Sequence, residues 1–130
     1  MSKKNLFPKL EGTKLDGFDP VSSVDELQVI DVIVGGGELV SEGATITAHY
    51  TGALAKDGTI FQSSKDMGKP ISFGLDQVIQ GWSDGVPGMR IGGTRRLLIP
   101  AEKAYGSQSP SPNIPPNSDL VFDIELIDIK

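Results

Sequence analysis

The chain has no cysteine, one histidine and one tryptophan in 130 residues. Without cysteine there is no disulfide and no thiolate nucleophile. One histidine, His49, cannot build a His-rich metal site. No run approaches the roughly 20 apolar residues that a membrane helix needs. Basic excess is lacking too: 12 Lys and Arg stand against 17 Asp and Glu, for a net charge of −5. That balance argues against a nucleic-acid partner, which usually meets a basic face. Lys3-Lys4 and Arg95-Arg96 read as solvated surface rather than phosphate sites. The first residues, Met1 to Pro8, are basic but carry no apolar h-region, so a cytoplasmic protein without a membrane partner is expected.

Several catalytic signatures are also missing. There is no Walker, HExxH or dinucleotide-binding fingerprint. Gly35-Gly36-Gly37 lacks the following Lys-Ser/Thr and opens no periodic helix, so it reads as a turn. A Ser-His-Asp triad would need His49, which lies on the strand face opposite the apolar one. Of the acidic pairs, Asp25/Glu26 and Asp123/Glu125, the second is explained as the outer face of a strand. If the chain is an enzyme, catalysis without covalent, metal or strong acid–base chemistry is expected.

Glycine and proline are abundant, at 16 and 9 residues, and point to many turns and few long helices. Residues 1–25 show no period and read as an N-terminal extension, partly ordered or disordered, with Leu6, Phe7, Leu10 and Phe18 as candidate docking residues. Residues 26–130 read as one domain. Val- and Ile-rich Leu27 to Val34 is a strand. In Thr45 to Thr51, Ile46, Ala48 and Tyr50 share one face. Asp57-Gly58 signals a turn, Ile60-Phe61 a short strand, and Ser63 to Lys69 a polar loop. Ile71 and Phe73 share a face of the next strand, and Phe73 reads as core. The one helix spans about Val78 to Asp84, with Gly85 as its C′ residue. Thr94 to Ile99 is a strand. Asp119 to Ile129 alternates strictly, with Leu120, Phe122, Ile124 and Leu126 inward. The sum is an α+β domain, an antiparallel sheet packed on one short helix. A monomer is expected, because neither a coiled coil nor an apolar strand edge is evident.

Aromatic residues make up only 6% of the chain, yet most stand beside a glycine, a turn or a polar partner. That placement suggests a small apolar cup. Rotation about an X–Pro bond suits such a cup. Its barrier of roughly 18–20 kcal/mol comes from amide resonance. The planar amide is more dipolar than the twisted transition state, so a dry aromatic site disfavours the former.

Ala48-His49-Tyr50-Thr51-Gly52, Phe61 with Ser63-Ser64, Val78-Ile79-Gln80-Gly81-Trp82, Ala104-Tyr105-Gly106, Ile114-Pro115-Pro116 and Leu120 to Leu126 follow one another in order. Together they resemble the FKBP family of peptidyl-prolyl cis-trans isomerases, from about Leu27 to Lys130. The resemblance implies a five- or six-stranded antiparallel sheet wrapped around a short helix. It implies proline-containing polypeptides as partners, macrolides of the rapamycin type as further ligands, and no cofactor. Trp82 would be the pocket floor. Tyr50, Phe61, Phe122, Val78, Ile79 and Ile71 would form the walls, with Ile114 at the rim. The Tyr105 hydroxyl and the Ile79 N–H would meet substrate carbonyls. Ile79 is placed in the first turn of the helix, where N–H groups lack intrahelical partners. Taken singly, Trp82 would pass for core and Tyr105 for surface.

The rim departs from the family pattern. Gln62 stands where aspartate is usual, Met67 where arginine is frequent, and Asn113 where isoleucine often precedes Ile114. Ile71 replaces a common aromatic. A charge pair is thus exchanged for neutral groups, which need not harm the fold. Alternative readings keep the cup but not the catalysis: a module that binds a proline-containing partner, or a folding helper that uses the same pocket.

Overall fold

The computed structural model describes residues 9–130. Period-two alternation becomes an antiparallel sheet of six strands: β1 (Gln28–Ile33), β2 (Thr45–Leu54), β3 (Ile60–Ser63), β4 (Ile71–Gly74), β5 (Thr94–Ile99) and β6 (Leu120–Ile129). They run in the order β1-β5-β6-β2-β3, with β4 also paired to β2. One helix, α1 (Gln80–Gly85), covers one face. The expected α+β class holds. The polar stretch expected as a loop after Ser63 instead forms a 3-10 turn, Ser64–Met67.

The helix seats on β5 through two glycines. A Cβ at Gly81 would stand 2.5 Å from Ile99 Cδ1, and one at Gly85 would stand 2.8 Å from Leu97 Cδ2. Spacing of four puts both glycines on one helix face. Ile99 and Leu97, two apart, share one strand face. The predicted helix ends need correction. Ile79 (φ −59, ψ 151) is the N-cap residue outside the helix, and Gly85 lies inside it, with right-handed Val86 as the C-cap. Gly85 is therefore required for closeness to Leu97 rather than for a left-handed turn.

The concave face holds the main core: Ile46, Ala48, Leu97, Ile99, Leu120 and Ile124 are fully buried under α1. The back of the sheet is buried as well. Ala53, Ile60, Leu98 and Val121 form a second cluster with Leu15 and Val24. Residues 9–25 thus lie across the sheet, with Leu10 and Phe18 partly buried against it. Leu6 and Phe7 are outside the described residues. Lys14 bridges Thr59, and Asp119 holds the segment's end by accepting from Val24 N at 2.8 Å.

Two further expectations are overturned. Arg95 and Arg96 are not solvated surface. Arg95 is buried, donates through Nε to Asp31 Oδ1 at 2.7 Å, and caps the helix end through the Gly85 carbonyl at 2.9 Å. Arg96 grips Asp123 with two bonds of 2.7 and 2.8 Å, donates to the Gly17 carbonyl, and lies 5.6 Å from the Phe18 ring centroid. Lys3-Lys4 falls outside the described residues. An apolar strand edge is also present: β1 is an edge strand, and Val29, Ile30, Val32 and Ile33 on it are 45–58% exposed. The reason given for a monomer therefore fails.

Candidate active site

Tyr50 sits where the β2 edge changes partner. β4 pairs with β2 as far as Ala48, and β3 pairs with it from Thr51. Tyr50's backbone would be left unpaired between the two ladders, a costly state for a buried residue. Ser64 fills the gap. Its Oγ accepts from Tyr50 N at 2.8 Å and donates to Tyr50 O at 3.2 Å. His49 Nδ1 lies 2.8 Å from Ser64 Oγ. With the hydroxyl proton committed to Tyr50 O, an Nδ1–H imidazole completes the set. The Ser63-Ser64 pair is thus the device that fixes Tyr50, and His49 is bonded rather than catalytic.

Gly52, two residues on, makes room for two rings. It pairs across the sheet with Phe122 and Gln62. A Cβ there would stand 2.6 Å from Phe122 Cε1 and from Phe61 Cζ. The two rings meet edge-on, centroids 5.7 Å apart and planes at 84°. Trp82 lies in α1 and is 3% exposed. It makes edge-to-face contacts with Phe73, Phe122 and Tyr50, at centroid distances of 5.0, 5.4 and 5.7 Å. Such arrangements place ring edges, which are positive, against faces, which are negative.

These rings line a cavity of about 350 Å³. Tyr50, Phe61, Trp82 and Phe122 form its aromatic part, and Val78 and Ile79 its aliphatic part. Gln62 and Tyr105 stand on its polar side. Eight sequence-predicted residues therefore meet in one place. Ile114 is buried and lines a neighbouring cavity instead. Ile71 is half-buried against the main core and does not line the cavity. Phe73, read as core, lines it: two residues on from Ile71 along the same strand, it supplies the aromatic ring that Ile71 lacks. Gln77, in the loop before α1, gave no sequence signal. Met67 is 49% exposed and lines neither cavity.

No carboxylate or cation lines the aromatic cavity. Its two ionisable groups are phenols. Burial pushes the Tyr105 hydroxyl above its ordinary pKa, and burial, then repulsion from Tyr105, does the same to Tyr50. Both remain O–H donors at neutral pH. Among the described residues, neither the Tyr105 hydroxyl nor the Ile79 N–H has an internal partner. The Ile79 carbonyl accepts from Trp82 N and Ser83 N, which start the helix. An aromatic cup with neutral donors and no general base can bind and polarise a carbonyl without proton transfer.

Fold and cup together define a sheet-and-helix domain with an apolar pocket edged by neutral hydrogen-bonding groups. Residues 36–127 match the family model described as FKBP-type peptidyl-prolyl cis-trans isomerase. The chain belongs to this family. It is 49% identical over 90 residues to the peptidyl-prolyl cis-trans isomerase FPR2 of Saccharomyces cerevisiae, covering 68% of this chain and 67% of that one. It is 42% identical over 127 residues to the FKBP-type peptidyl-prolyl cis-trans isomerase FkpA of Escherichia coli, covering 98% of this chain and 44% of that one. The crystal structure of FkpA superposes with a TM-score of 0.73 at 42% identity over 90% of this chain and 53% of that one. That of AtFKBP13 superposes with a TM-score of 0.71 at 41% identity over 83% and 96%. The chain thus spans about half the length of FkpA, 44% of its sequence and 53% of its crystallised chain.

Proposed function

We propose that this domain accelerates cis/trans rotation of X–Pro bonds in polypeptides, with the proline ring seated against Trp82. The observation that carries the reading is the pairing of an aromatic cavity free of carboxylates and cations with neutral donors, the Tyr105 hydroxyl and the Ile79 N–H among them, that have no partner among the described residues. The low-polarity walls disfavour the planar, dipolar imide relative to its twisted form. Donors that fit the carbonyls only after twisting add to the preference. Macrolides of the rapamycin type are proposed as ligands of the same cup, and the cytoplasm as its compartment.

Exchange NMR on an X–Pro tetrapeptide tests the proposal. The protein should accelerate interconversion, and Tyr105→Phe combined with Trp82→Ala should abolish the acceleration. A second reading, a proline-binding module without catalysis, is favoured by one observation: Gln62 leaves the cavity without a carboxylate. Tight binding with no acceleration would establish that module instead. Titration with rapamycin tests the macrolide proposal, and cell fractionation tests the compartment.

A further inference from the structure

Beside the aromatic cup lies a second cavity of about 290 Å³. The two share Phe61, Gln62 and Tyr105 as a common wall. The far side of the second cavity is built by Asn113 and Ile114, and by Glu11 from the segment that crosses the back of the sheet. Glu11 carries the one carboxylate lining either cavity among the described residues, and no Lys or Arg lines them.

The position of Glu11 is fixed from both sides. Leu10 N and Glu11 N donate to the two oxygens of Asp66, at 2.8 and 3.0 Å. Gly12 N donates to the Ile60 carbonyl at 2.8 Å, and Ile60 N returns a bond to the Thr13 carbonyl at 2.8 Å. On the side chain, Glu11 Oε2 accepts from Asn113 Nδ2 at 3.2 Å. Oε1 has no partner among the described residues. A carboxylate with one committed and one open oxygen, held in a concave site, suits a Lys or Arg side chain.

We infer that this second cavity is a flanking subsite, in which Glu11 selects polypeptides carrying Lys or Arg close to the proline. The inference rests on the isomerase reading, because it seats the proline in the adjoining cup. Gln62 makes the cup itself neutral. The negative charge next to it is supplied by a separate stretch of chain, outside the residues that hold the proline. Specificity for a flanking charge is therefore separable from binding of the proline. The contact is solvated, so the preference has the size of an exposed ion pair, about two- to fivefold, and weakens as salt screens it.

The test uses the full chain and X–Pro peptides identical except for Lys, Gln or Glu at one position, in one series before the proline and one after it. Exchange NMR gives kcat/KM, and titration in the same samples gives Kd. Lys peptides should be preferred over Glu peptides about two- to fivefold in at least one series. Glu11→Gln should remove that preference while acceleration of the Gln peptide is unchanged, and Glu11→Lys should reverse it. Asp66→Ala, which frees the backbone at Glu11 and keeps its charge, should weaken it. A Lys/Glu ratio equal in wild type and Glu11→Gln, in both series, overturns the subsite. If no peptide is accelerated, the isomerase reading fails by itself, and the Kd ratios still decide the subsite.

Discussion

The two faces of the sheet are buried by different means. On the concave face, rings and branched aliphatics from β2, β5, β6 and α1 interlock, and Trp82 touches three other aromatic rings. On the back, small side chains such as Ala53, Ala55 and Val121 lie under a segment with no helix or strand of its own. Polar bonds hold that segment: Arg96 to the Gly17 carbonyl, Asp66 to Leu10 N and Glu11 N, Asp119 to Val24 N. The front is fixed by shape, and the back by hydrogen-bond partners whose distance in sequence makes them cross-links. A change of volume should damage the first, and a change of charge the second.

The largest effect is expected from Trp82→Ala. Emptying this buried position should cost about 3–5 kcal/mol in denaturant unfolding and remove peptide binding together with it. Arg96→Ala attacks the other face. It leaves Asp123 without its bidentate partner and frees the Gly17 carbonyl, for a loss of about 1–2 kcal/mol given its partial exposure. Isomerase turnover by the folded protein should be retained, and limited proteolysis should cut within residues 9–25. Equal loss of turnover in both variants would contradict the independence of the two faces.

A pH series asks whether the cup is as dry as its lining implies. Burial raises both phenol pKa values above the ordinary 10.0. A pKa raised on folding means that the associated stability is complete below the ordinary value and declines as pH climbs through the folded one. Turnover should therefore be level through neutral pH and fall only in alkali above pH 10.0. A decline centred at the ordinary 10.0 would show phenols in contact with water. The smallest effect belongs to the rim. Gln62→Asp places a charge at an exposed position between the two cavities, and should alter peptide or macrolide Kd while leaving the melting temperature nearly unchanged. Identical Kd values would remove Gln62 from recognition.

The front face was legible in the sequence because its signals are local. Alternation in Thr45 to Thr51 and Leu120 to Leu126 marks the strands, and Tyr50 and Phe122 sit on the side that alternation points inward. The expected position of Ile79 missed by a single step, since helix ends depend on cap geometry that spacing does not reveal. For Phe73 the sequence shows the face but not the reach into the cavity. A period of two says which side a ring is on, not how far it reaches. The back face was much less legible. Leu98, Val121 and Ala53 are apolar residues pointing outward, which was a sign of a cover. Nothing in residues 9–25 repeats with a helix or strand period, so the cover itself left no pattern. Arg96 carries no local mark of its role, because its partners lie 27 and 79 positions away.

α1 is six residues long, too short to persist by itself in water. It exists because Gly81 and Gly85 let it rest on β5. The chain's single tryptophan is carried on it. One indole fluorophore therefore reports on two events. A ligand entering the cup changes the surroundings of a ring that stays packed, whereas melting of the sheet releases the ring to water. Emission intensity and wavelength together can follow occupancy and unfolding in one sample, with no second indole to subtract.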